Sequence, residues 1–188
     1  MVKINESERR EFFRIDDDIY LDFFSISEDE YNDASTTLEN LHDDAFSLSA
    51  DFATLNNKIN PVLNNIKQLY PDVGEYLEML NSKIDSVGQQ ILYQNSGCDE
   101  KKIITANLSA SGIQFTTEQT FKLQQAIKLE LVLLPEKIGV LIFGRIVDIK
   151  DKNISIEFEF IRPEDQELMI KHNLNKQMSE IRDKNDNN

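Results

Sequence analysis

From Leu38 to Leu69 the apolar residues recur at alternating steps of three and four, through Leu41, Ala45, Leu48, Phe52, Leu55, Ile59, Val62 and Ile66. Only a helix lines such positions up on one side, so the stretch is confined to a long amphipathic helix of coiled-coil type. A second seam runs through Val73, Leu77, Leu80, Ile84, Val87 and Ile91, with the turn signal Tyr70-Pro71-Asp72 between the two. The helices are expected to fold back as a hairpin. Pro61 lies off the seam and is expected to kink the first helix or restart it with Asn60 as cap. Between residues 28 and 60 Lys58 is the only formal cation. Such an acidic run reads as a solvated outer face.

On both sides of this block the apolar period shortens to two. Residues 19–26 (IYLDFFSI) are rich in aromatic and β-branched types and read as a first strand. The preceding Asp16, Asp17 and Asp18 lack the glycine and distal glutamate of a calcium loop and read as a solvated turn. After the polar stretch 94–100 the alternation returns in 101–108, 112–116, 127–134, 138–149 and 153–161. Turn signals at Pro135-Glu136-Lys137 and Lys150-Asp151-Lys152-Asn153 space these strands as an antiparallel meander or small barrel. Pro163 opens a last helix, with Glu164 and Asp165 in its first turn and an apolar stripe of Ile170, Leu174, Met178 and Ile181. Residues 183–188 are expected to fray.

Composition narrows the function. The chain of 188 residues is 40% hydrophobic, enough for a core, and carries a formal net charge of -14. That charge opposes general binding to nucleic acid or to a membrane surface, both polyanions, so an anionic ligand must meet a local reversal of sign. The longest apolar run, Val140 to Phe143, is far short of a bilayer span, and the first residues have no apolar signal core. A cytoplasmic protein without membrane insertion is expected. The lone Cys98 fits a reducing compartment. His42 and His172 have no second histidine or cysteine at ligand spacing, so no metal site is expected and both read as helix-surface residues. No nucleophile elbow, Walker loop or dinucleotide turn is present. Catalysis is therefore not expected, and neither is a cofactor.

Two short segments stand apart. Glu8-Arg9-Arg10-Glu11-Phe12-Phe13-Arg14 holds a cluster of three arginines just ahead of the first strand. Guanidinium forks bind phosphate oxygens or a guanine edge bidentately and stack on bases, and Arg10 and Arg14 could grip one compact anion from two sides. The second segment, Asn107-Leu108-Ser109-Ala110-Ser111-Gly112, joins two strands. Its alternation puts the Asn107 amide and the Ser109 hydroxyl on one face, while Gly112 lets the backbone turn and a ligand approach.

Together the two segments resemble the PilZ domain family. Its Arg-x-x-x-Arg motif is matched by Arg10 and Arg14, and its Asp/Asn-x-Ser-x-x-Gly motif by Asn107, Ser109 and Gly112. Residues 144–147 and 156–158 and the helix after Pro163 also resemble that domain's closing strands and helix. Residues 77–85 look like the second helix of the branch that inserts a helical hairpin and assembles through it. The resemblance implies an α+β fold: a six-stranded antiparallel β-barrel with an inserted helical hairpin and a C-terminal helix. It divides the chain into an arginine arm and first strand (1–27), an oligomerisation hairpin (28–98), the rest of the barrel (99–162) and a terminal helix with a frayed tail (163–188). It also implies a receptor for cyclic di-GMP, bound by Arg9, Arg10, Arg14, Asn107, Ser109 and Gly112. Such a receptor would change shape on binding and signal to a protein partner as a dimer or tetramer. The alternative is an oligomeric scaffold that works through its acidic coiled coil without a ligand.

Overall fold

The computed structural model describes residues 13–40, 45–96 and 103–186. Six strands form a closed antiparallel barrel in the order β1-β2-β3-β6-β5-β4. They are β1 (Ile15–Ser25), β2 (Ile103–Ser109), β3 (Gly112–Thr116), β4 (Ala126–Leu133), β5 (Ile138–Lys150) and β6 (Asn153–Phe160). The strands after the hairpin fall where the alternation puts them. Alternate residues fill the interior, among them Ile19, Leu108, Ile113, Ile127, Leu129, Leu131, Ile142, Ile146, Ile156 and Phe158. Left-handed backbone at Lys137 and Asp151 marks the two hairpin turns of the β4-β5-β6 meander.

The first strand starts earlier than expected. Asp16, Asp17 and Asp18 are strand residues, paired with Asn107, Ala106 and Thr105 of β2, and form no turn. Alternation sends Asp16 and Asp18 outward and Asp17 inward, where it is 1% exposed. An isolated buried carboxylate is costly, so the position survives only with partners. The helix α5 (Pro163–Asp186) provides them. His172 Nε2 lies 2.6 Å from Asp17 Oδ2, and the Lys176 ammonium pairs with the other oxygen.

This changes the reading of the terminal helix. His172 is buried, and the inward face of α5 consists of Asp165, Leu168, Met169, His172 and Asn173. The expected stripe faces the other way, with Leu174, Met178 and Ile181 about half exposed. Alternative helical faces have the same period, and here the face that packs is the one with charge partners. The helix continues to Asp186, past the point where fraying was expected.

The insertion begins with two short helices, α1 (Glu28–Asn32) and α2 (Ala34–Glu39), before the long α3 (Ala45–Leu69) and α4 (Pro71–Ser96). Ser27 and Glu30 form a capping box at the start of α1. Tyr31, Ala34 and Leu38 bury against Ala126, Leu141 and Phe143 on the outside of the barrel. The apolar run Val140 to Phe143 is thus covered on both faces. Arg145 locks this contact: its guanidinium sits 4.1 Å over the Tyr31 ring and is bidentate to Glu28 at 2.7 and 2.9 Å. Leu38, placed at the head of the first seam by spacing, belongs to this barrel contact.

The two long helices form the expected hairpin, and α3 runs through Pro61 without restarting. Asn56 bonds Asp85 across the pair at 2.8 Å, Lys67 meets Glu78 at 2.5 Å, and Gly88 gives room to the Phe52 ring. Most seam residues are not between the helices. Leu55, Ile59, Val62 and Leu69 on α3, and Val73, Leu80, Ile84 and Val87 on α4, are all more than 40% exposed. Arg162, buried at the start of α5, holds Asp165 through two bonds at 2.8 and 2.9 Å and reaches Asp51 of α3 at 3.3 Å. It ties the hairpin to the barrel.

Removing one partner of a buried charge pair leaves the other unpaired. Asp17→Ala is therefore expected to lower stability by about 3 kcal/mol in urea denaturation. Burial also holds the His172 imidazole below its ordinary range, although Glu136 pulls the other way. The unfolded chain then takes up a proton at higher pH than the folded one, so the contribution of His172 is full above about pH 6.5 and falls as the solution is acidified. The urea midpoint should drop between pH 7.5 and 5.5, and less steeply in His172→Gln.

Candidate functional site

Antiparallel register lines up outward-facing residues of different strands in rows. Asp16 pairs with Asn107, Asn107 with Gln114, and Gln114 with Ser155, giving one polar row across β1, β2, β3 and β6. The next row carries Ser109, Gly112, Glu157 and Arg145. Arg14, one residue before β1, stands at the open end of that second row. Its Nη1 lies 3.4 Å from Asn107 Oδ1, across 93 residues of sequence. Arg9 and Arg10 lie outside the described residues, as do His42 and Cys98.

The corner between β2 and β3 is built by short-range bonds. Ser109 is 1% exposed, and its hydroxyl donates to the Gly112 carbonyl at 3.1 Å while accepting from the Ser111 amide at 3.3 Å. The turn is continued into β6, where the Phe158 amide donates to the Ser111 carbonyl at 2.9 Å. Ser109 is thus engaged in shaping the turn, and Asn107 is the motif side chain that reaches the surface. Gly112 has a packing reason as well. A Cβ there would stand 2.7 Å from the Ile156 carbonyl oxygen and 3.8 Å from Arg14 Nη2. The missing side chain lets β6 come close and leaves the guanidinium room.

The Asn107 amide is held on two sides, since its Nδ2 donates to Asp16 Oδ1 at 2.8 Å. Beside it Thr105 bonds Asp18, and Gln114 Nε2 reaches Ser155 at 3.2 Å. Spacing alone passed over Asp16 and Gln114. The available signal was strand parity, which sets Gln114 two residues after Gly112 on the same face and Asp16 two residues after Arg14.

A separate cavity of about 390 Å³ lies between the hairpin, the β4-β5 turn and α5. Phe52, Asn56, Asp85, Glu136, Lys171 and His172 are among its lining residues, and none of the Arg14, Asn107 and Gly112 set is. Its lysines and carboxylates balance in sign, so it has no bias toward an anion. The Arg14 corner presents a guanidinium next to an amide. Among the described residues no helix is long and apolar enough to cross a membrane.

The closed six-stranded barrel thus sets a guanidinium against a polar strand corner. Residues 88–174 match the PilZ domain family. In fold the chain is similar to a pathogenic protein from Xanthomonas campestris, described as a tetrameric PilZ domain self-assembled via a helical bundle. The TM-score is 0.54 at 10% identity, over 92% of this chain and 90% of that one. A weaker similarity joins it to the Bacillus subtilis inhibitor of motility MotI/DgrA, with a TM-score of 0.34 and 18% identity over 42% of this chain and 44% of that one. No curated protein matches the chain significantly.

Because the atom nearest an added Cβ at position 112 is a backbone oxygen, the strain cannot be relieved by a rotamer change. Gly112→Ala is expected to cost about 1–3 kcal/mol, measured as a lowered thermal midpoint.

Proposed function

We propose that this protein is a cytoplasmic receptor for cyclic di-GMP, with Arg14, Arg10 and Arg9 as a guanidinium clasp and the Asn107, Ser109 and Gly112 corner as its opposite wall. The observation that carries this is the Arg14 to Asn107 contact of 3.4 Å. It brings two motifs remote in sequence into one place, as the PilZ resemblance requires. The chemistry is binding alone. A dianionic ligand would be held by charge-assisted bonds from the guanidiniums, and its binding would change the shape of the surface around the corner. The reordered surface is what a protein partner would read, with no bond made or broken. Asn107 offers an amide at the surface, while Ser109 and Gly112 act by holding the corner's shape.

The exposed seams support assembly as part of this reading. Leu55, Ile59, Val62, Val73, Leu80, Ile84 and Val87 form apolar surface too extensive for two paired helices to hide. A homo-oligomer formed through the hairpin would cover it, and the Xanthomonas protein is described as self-assembled via a helical bundle. The same observation favours the second reading, a scaffold acting through this hairpin alone. Nucleotide binding separates the two.

Hydrogen bonds to charged groups contribute roughly 1.5–3 kcal/mol each, so Arg14→Ala should weaken cyclic di-GMP binding about tenfold or more in calorimetry. Near-normal affinity in that variant removes the clasp; no heat from the wild type favours the scaffold. In light scattering, Val62→Glu with Val73→Glu should reduce the mass of the full chain to that of a monomer.

A further inference from the structure

The Asn107 amide is held in one orientation. Its Nδ2 donates to the Asp16 carboxylate at 2.8 Å and its Oδ1 faces Arg14 Nη1 at 3.4 Å. Turning the amide over would set its oxygen against a carboxylate and its NH2 against a guanidinium. Two charge-assisted contacts would become two repulsions. One of the two Asn107 N–H donors is therefore occupied within the protein, and the orientation of the amide is fixed. The same holds in the neighbouring position, where Gln114 directs its NH2 to Ser155 at 3.2 Å.

What the row offers a ligand through Asp16 is a pair of neighbouring acceptors. They are Asn107 Oδ1, bonded otherwise only at the long Arg14 distance, and the exposed Asp16 carboxylate, which bonds Asn107 alone among the described residues. A phosphate has only acceptors and is turned away from this edge toward the arginine. A purine whose pairing edge carries adjacent donors is attracted. Guanine has them, in its N1–H and the N2 amino group, whereas adenine puts an acceptor at N1.

We propose that Asp16 is a specificity-determining residue, fixing the Asn107 amide and taking the donor edge of a guanine whose phosphate lies toward Arg14. This rests on the receptor reading above. It explains how an acidic residue comes to sit two positions from Arg14, beside a site for an anion. Asp16 faces the base and Arg14 the charge.

The test is a calorimetric titration of the full chain and of Asp16→Asn and Asp16→Ser with cyclic di-GMP, cyclic di-AMP and the di-inosine analogue, which lacks the N2 amino group. The wild type should prefer the guanine ligand to both others by about tenfold to a hundredfold. Both variants should lose most of that preference, to within about threefold, while their urea midpoints stay near the wild-type value because Asp16 is exposed. A structural role alone would lower affinity for all three ligands equally. If the variants bind cyclic di-GMP with the wild-type preference intact, the assignment to Asp16 is overturned and the clasp stands. If the wild type binds none of the three, the receptor reading is overturned and the assignment with it.

Discussion

The pairing of β1 with both β2 and β4 is the contact on which the rest of the molecule depends. It closes the barrel, and so buries the alternating apolar residues of all six strands at once. It also brings Arg14 to Asn107, sets Asp16 opposite Asn107, and turns Asp17 inward under α5. β1 must find β2 across the whole inserted hairpin. A flexible loop of that length would add chain entropy to every one of these contacts. Two antiparallel helices return the chain near its starting point, so the insertion works as a closed connection.

Three ion pairs anchor the helices to the barrel, each at a place where apolar packing alone leaves orientation loose. Arg145 fixes α1 by stacking on Tyr31 and gripping Glu28. Arg162 joins α5 to Asp51 on α3. Lys176 pairs with Asp17 and His172 hydrogen-bonds it, which together place α5 across the inward side of β1. Charge geometry is directional where hydrophobic contact is not. The same logic serves the candidate site, where the carboxylate of Asp16 and the guanidinium of Arg14 set the orientation of one amide.

Much of the barrel was legible because its strands are half buried. In such a strand, polar and apolar residues must alternate, and 112–116, 127–132 and 153–160 do so almost residue for residue, while 138–149 breaks the pattern with the run Val140 to Phe143 that is covered on both faces. The start of β1 was not legible, because Asp17 is an inward residue that is polar, and alternation with a charge at a core position looks like a turn. The candidate site was legible through the resemblance carried by Arg10, Arg14, Asn107, Ser109 and Gly112. No spacing rule would join residues 14 and 107. Asp16 and Gln114 came into view only with the register.

The amino-acid order by itself determined where each element runs and what period it has: six strands, a helical hairpin between the first two, and a closing helix. It did so because periodicity is a local property, written in residues close along the chain. Only the tertiary structure decided which side of each element is covered. Among the described residues, much of the α3 and α4 seams points outward, the α5 stripe from Leu174 on faces away from the barrel, and a triple aspartate becomes one buried and two surface carboxylates. A line of apolar residues states that a face can be buried. What buries it depends on partners remote in the chain, and those are fixed only when the barrel closes.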